Sequence, residues 1–185
     1  MEKREIRKVL FSLAETLSVE KTCQNFGMEK SELRDLLLGL FPASEEKRDG
    51  SDAGLLVLYV DGAARGNPGP AGAGVVIMQK SEIMEELAQY LGEKTNNQAE
   101  YEALIIGLKR LVEIGAQAVE VRSDSELMVR QIKGLYRVKN PDLRRLYKQV
   151  KDLIAEFQGF SIKHVPRVQN KQADLLANRA IDEFV

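Results

Sequence analysis

Apolar positions in this chain follow two different rhythms, one on each side of a polar stretch at residues 42–53. Before it, Ile6, Val9, Leu10, Leu13 and Leu17 recur at three- to four-residue spacing, the mark of one helical face. Two shorter helices are predicted next, at residues 19–26 and 31–40. Gly27 divides them as a left-handed stop and Ser31 caps the second. The segment TCQNFGMEKSELRDLL resembles a helix-turn-helix, although any tight pair of helices needs a glycine near its corner. The stretch PASEEKRDGSDA, residues 42–53, lacks large apolar residues and reads as a linker.

Beyond the linker the runs shorten. Residues 55–60 are continuously apolar, as in a strand covered on both faces. Residues 73–78 and 83–90 are predicted as further strands, joined by a turn at 79–82. Thr95 and Gln98 form a capping box for a long helix that reaches about Ile114 and stops at Gly115. A strand at 119–123, a helix at 125–134 and a helix opened by Asn140 and Pro141 follow. A strand at 160–165 and a helix from about Asn170 end the series. Three strands, a helix, a strand, helices, a strand and a helix imply a mixed α/β sheet whose first hairpins are antiparallel.

With 185 residues, the chain accommodates one domain of about 130 residues and a small appendage. Its start, MEKREIRKVL, has no secretory pattern and no apolar run approaches membrane-spanning length, so a cytoplasmic protein with no membrane partner is expected. A single cysteine, Cys23, excludes an internal disulfide, and one histidine excludes a Cys/His zinc cluster. Any metal must therefore be held mainly by carboxylates. The net charge of −1 does not announce a nucleic-acid binder, yet nine basic residues against three acids lie between Arg122 and Lys151. Taken alone, that run is a solvated helix face. Residues 1–49 carry nine basic against ten acidic residues, so nothing there favours phosphate, and a stabilising or protein-docking role outranks DNA recognition.

Four acids stand out by position: Asp61, at the end of the first apolar strand, Glu100, Asp124 and Asp174. Each has a plain alternative. Asp61 before Gly62 can start a turn, Asp124 can cap a helix, Glu100 can complement a helix dipole, and Asp174 can face solvent. Together they carry more weight, because the first and fourth strands are expected to be parallel neighbours whose carboxyl ends would set Asp61 beside Asp124. Two such carboxylates repel, and a divalent cation relieves that repulsion. All-oxygen ligands suit Mg²⁺ or Mn²⁺.

At these residues the chain resembles the type 1 ribonuclease H family over about residues 54–185. DGAARGNPGPAGAG resembles the family's first-strand motif, TNNQAEYEAL its helix motif, SDSELMVRQI its second aspartate motif and HVPRVQNKQADLLANRA its terminal segment. The resemblance implies a ribonuclease H-like mixed five-stranded sheet flanked by helices at residues 54–185. A small all-α domain at 1–41 and the linker at 42–53 precede it. It also implies catalytic and metal-binding roles for Asp61, Glu100, Asp124 and Asp174, with two Mg²⁺ or Mn²⁺ ions bound alongside the substrate. The implied reaction is hydrolysis of the RNA strand of an RNA–DNA hybrid, leaving 5′-phosphate and 3′-hydroxyl ends.

Substrate contacts implied by the same resemblance fall on Gly62, Ala63, Asn67, Asn97, Ser125, Glu126, Arg167 and Asn170. Reading the 2′-hydroxyl distinguishes the strand to be cut. Glu126 stands where relatives often carry glutamine, and an ionised acid accepts hydrogen bonds without donating them. His164 lies ten residues before Asp174, where many relatives place a histidine that assists proton movement, although its HVPR setting also fits a strand end. Residues 135–140 are too short for the basic helix and loop of some bacterial members. Competing functions are a nuclease of the same fold acting on double-stranded RNA, and a regulator that binds nucleic acid through the N-terminal helices. The protein partner of those helices is not read from the sequence.

Overall fold

The computed structural model describes residues 19–29, 33 and 54–184. The chain divides into two compact units, Met1–Asp49 and Gly50–Val185. In the first, α1 spans Val19–Phe26. Gly27 adopts φ +59°, and the Met28 N–H reaches back to the Cys23 carbonyl at 3.1 Å, so the helix ends in a Schellman turn as its glycine predicts. Cys23 and Leu33 are buried against one another with Met28 packed beside them. The helices expected at residues 1–17 and 31–40 lie outside the described residues, Leu33 excepted.

The second unit is a five-stranded sheet in the order β3-β2-β1-β4-β5. Its strands are β1 (Leu55–Ala64), β2 (Gly69–Gln79), β3 (Glu82–Lys94), β4 (Ala118–Ser123) and β5 (Gly159–His164). The helices are α2 (Asn96–Glu113), α3 (Glu126–Ile132), α4 (Pro141–Ile154) and α5 (Lys171–Asp182). The first three strands pair antiparallel, whereas β1 with β4 and β4 with β5 pair parallel. This is the mixed sheet expected from the order of elements. Among the described residues, no helix is long and apolar enough to cross a membrane.

Alternation along β1 turns Leu56, Leu58 and Val60 to one face, where they meet Leu104, Leu108 and Leu111 of α2 in the main core. Each fully buried aliphatic side chain there contributes roughly 1.5–3 kcal/mol. On the opposite face Val76 packs with Ala173 and Leu176 of α5. The two helix starts signalled by side-chain caps in this unit form as expected, whereas the cap expected at Ser31 lies outside the described residues. Thr95 and Gln98 make the reciprocal capping box of α2, and Asn140 accepts from the N–H groups of Asp142 and Leu143, with Pro141 in the first turn of α4.

Several expected boundaries move, and the third strand runs on to Lys94 instead of ending at residue 90. The first strand does not end at Asp61: β1 continues to Ala64, pairing Asp61 with Gly74 and Ala64 with Ala71. Small residues on both strands keep the antiparallel ladder going after the apolar run stops. For the same reason β2 starts at Gly69 instead of residue 73. The parallel ladder with β4, by contrast, stops at Tyr59 and Arg122. Asp61 therefore sits where β1 parts from β4 while still held by β2.

Candidate active site

Backbone packing brings the four acids together, and two glycines permit it. Gly62 follows Asp61 and shares the α2-facing side of β1; a Cβ there would lie 2.1 Å from the Glu100 nitrogen. Only glycine lets the first turn of α2 come this close, and the approach delivers Glu100 to Asp61. On the other face, a Cβ at Gly74 would lie 1.9 Å from the Ala173 carbonyl oxygen, so α5 lies directly on β2 and brings in Asp174. Asp124 follows the last residue of β4, next to the point where β1 and β4 separate.

Asp61 and Glu100 are 6% and 7% exposed, a low figure for carboxylates. Burial, then repulsion from Asp124 and Asp174 and a side-chain hydrogen bond with Asp124, raise the Asp61 pKa to about 7. Glu100 is raised well above the ordinary range, first by burial and then by Asp61 and Asp124, with a backbone hydrogen bond from Gly62 pulling the other way. The buried Oε2 of Glu100 has no hydrogen-bond partner.

Asp124 and Asp174 are also held by non-acidic side chains. Asn170 is buried; its Nδ2 donates to Asp124 Oδ1 at 2.6 Å and to the Val60 carbonyl at 2.9 Å. Arg167 Nη2 lies 2.8 Å from Asp174 Oδ1, and Asn178 Nδ2 approaches the same oxygen at 3.3 Å. Among the described residues, no three acidic, imidazole or thiol side chains are gathered tightly enough around one point to hold an ion. The donor set nevertheless fits a hard divalent cation that keeps several waters. Every donor is a carboxylate oxygen, Glu100 Oε2 is buried without a partner, and mutual repulsion opposes ionisation of Asp61 and Glu100.

The remaining sequence candidates occupy varied settings. Ala63 lies in β1 opposite Gly72. Asn67 Oδ1 accepts from the Asn96 N–H at 3.0 Å, tying the glycine-rich loop to the start of α2. Asn97 is exposed in that first turn. Ser125 precedes α3 with no side-chain cap; its N–H instead bonds Ser123 Oγ at 3.1 Å. Glu126 pairs with Arg130 at 2.6 Å, and the Arg130 guanidinium lies over the Tyr136 ring. His164 ends β5, as its HVPR setting allows, and is exposed. Among the described residues it makes no side-chain hydrogen bond to the acids.

Sequence reasoning missed two supporting groups. Asn178 lies four residues after Asp174 on α5, a helical spacing that gave a usable signal. Ser123 gave none, because a buried serine at a strand end resembles any other small residue.

Comparison with known proteins places these elements among relatives. A family model described as reverse transcriptase-like matches residues 59–180. A ribonuclease HI from Halobacterium salinarum is 44% identical over 68% of this chain and 63% of its own length. The bifunctional protein Rv2228c of Mycobacterium tuberculosis is 45% identical over 69% of this chain and 35% of its own. A ribonuclease H from Pseudomonas putida is 37% identical over 68% of this chain and 93% of its length. Among solved structures, the RNase H1 of Halobacterium salinarum aligns with a TM-score of 0.69 over 70% of this chain and 99% of that one. LC11-RNase H1, crystallised with an RNA/DNA hybrid, gives 0.66 at 46% identity, over 69% and 97%. Sequence identity, fold and matched span agree: the chain belongs to the reverse transcriptase-like family, as a ribonuclease HI-like protein.

Proposed function

We propose that this protein is a metal-dependent endonuclease that hydrolyses the RNA strand of RNA–DNA hybrids, leaving 5′-phosphate and 3′-hydroxyl ends. The observation that carries the reading is the pair of buried carboxylates, Asp61 and Glu100, held against Asp124 and Asp174 despite their repulsion. A fold has no structural need for that arrangement, whereas a cation site does. The hybrid as substrate is supported by LC11-RNase H1, a relative crystallised with one.

In this reading Asp61, Glu100, Asp124 and Asp174 hold two Mg²⁺ or Mn²⁺ ions. Bound there, the ions supply charge neutralisation at the scissile phosphate and a more acidic attacking water. The chain does the rest. Asp61 stands on a strand hydrogen-bonded along its length to β2, so its carboxylate is held without needing a loop to close. Asn170 fixes Asp124 through one amide hydrogen bond and the neighbouring strand through the other. The backbone at Gly62 and Ala63, with Asn67, Asn97, Ser125 and Glu126, lies beside the acids in sequence and reads the ribose of the cut strand. His164, at the exposed end of β5, is the candidate for proton movement.

The test is cleavage of hybrids with a labelled RNA strand, run in parallel with RNA–RNA and DNA duplexes in Mg²⁺ or Mn²⁺. Only the hybrid is expected to be cut. Asp61→Asn and Asp124→Asn should each lower the rate by on the order of 10³ or more while circular dichroism stays unchanged. A fully active substituted protein overturns the assignment. Cleavage of RNA–RNA in preference identifies a nuclease of different specificity, and hybrid binding without cleavage favours the regulator.

A further inference from the structure

Arg167 differs from the basic residues of α4 because its guanidinium is aimed at the acids. Nη2 stands 2.8 Å from Asp174 Oδ1, while 75% of its side chain remains in water. Its charge also acts on Asp61 and Asp124. It begins the short 3₁₀ turn Arg167–Gln169 that leads into Asn170, the residue clamping Asp124. One four-residue stretch thus neutralises one acid and fastens another. Asp174 Oδ1 is occupied by Arg167 and Asn178, and Asp124 Oδ1 by Asn170.

Without a metal, a cluster of partly buried carboxyls is relieved either by protonation, as at Asp61 and Glu100, or by a nearby cation, as at Asp174. Arginine suits that duty, because it stays protonated throughout the range in which carboxylates titrate. An exposed guanidinium also leaves at little cost, since it is well solvated once released and an exposed ion pair is individually weak.

From these contacts we propose that Arg167 is an internal counter-cation: it occupies Asp174 in the metal-free protein, competes with an incoming divalent cation for that carboxylate, and moves into water when the cation binds. Arg167 is thereby a positioning residue, acting through the carboxylate that it guards. The inference rests on the reading of the four acids as a metal site, so its test separates the two.

Mn²⁺ binding to the full chain without nucleic acid is measured by calorimetry for the wild type, Arg167→Gln and Asp61→Asn, with thermal unfolding alongside. Arg167→Gln is expected to bind Mn²⁺ about three- to tenfold more tightly, the effect shrinking with added salt. Its metal-free unfolding temperature should fall below that of the wild type, and saturating Mn²⁺ should close the gap. Unchanged or weaker Mn²⁺ binding by Arg167→Gln, with binding still lost in Asp61→Asn, overturns the counter-cation alone. No Mn²⁺ binding by the wild type, or equal binding by Asp61→Asn, overturns the metal site and the counter-cation with it.

Discussion

At the scale of single residues, the carboxyl of Asp61 is the most consequential group, because the fold holds it in a state that water would not favour. Its pKa is about 7 in the folded chain and 3.8 as an ordinary aspartate. Between those values the unfolded chain is ionised while the native site keeps its proton. The native state then binds more protons, so its stability falls as pH rises. That penalty is absent below about pH 4, grows through pH 4–7 and is complete above pH 7. Asp61→Asn removes it. The metal-free variant should therefore be more stable than the wild type by a few kcal/mol at pH 8, with the difference vanishing near pH 4, as measured by urea unfolding at each pH. A constant difference across that range would show that Asp61 is not held protonated.

Asn170 makes the opposite case. Asn170→Ala would strip a hydrogen bond from the buried Val60 carbonyl and another from Asp124, at a cost of about 1–3 kcal/mol. Unfolding in denaturant measures that loss. Cleavage should fall as well, because Asp124 loses its clamp, and Asn170→Asp should rescue neither property, since a carboxylate cannot donate to the carbonyl.

Elements reach this site by close approach, so they are sensitive to single methyl groups. Gly74→Ala would drive a Cβ into the Ala173 carbonyl of α5, and Gly62→Ala would drive one into the backbone at Ala99 and Glu100. Each should destabilise the protein by at least 1–3 kcal/mol and displace an acid, so thermal midpoint and cleavage rate should fall together. Much at this scale was legible in the sequence. Thr95 with Gln98 and Asn140 with Pro141 announce their helices through side chains that satisfy exposed N–H groups. The β2–β3 turn was placed correctly, yet Lys80 and Ser81 both adopt positive φ, and neither residue signals that conformation. The true end of β1 was hidden too. Glycine and alanine carry little pattern, and only the partner strand shows that the ladder runs on to Ala64. Likewise, motif resemblance located Arg167 and Asn170 but could not reveal that each is bonded to one of the acids. Such bonds depend on how α5 docks.

Across the whole molecule, the Gly50–Val185 unit contains its own sheet and core, distinct from the small cluster of Cys23 and Leu33. A chain lacking residues 1–49 should therefore keep the circular dichroism of the α/β unit. With nine basic and ten acidic residues removed, the logarithmic salt slope of hybrid binding should be unchanged, measured by fluorescence anisotropy across a KCl series. A flatter slope would reveal phosphate contacts made by the N-terminal segment. The sheet order was within reach of the sequence because alternating apolar runs and helix caps fix the order of elements, and handedness and pairing rules then leave few arrangements.

The fork between β1 and β4 has a temporal consequence during synthesis. Where the strands part, the Val60 carbonyl is closed off by an amide 110 residues later in the chain. A ribosome that has completed all five strands has still not delivered Asn170 or Asp174. The nascent protein can thus pair its strands while its cleft remains unsealed and short of one acid, so the nuclease activity proposed for it is expected only once α5 has docked.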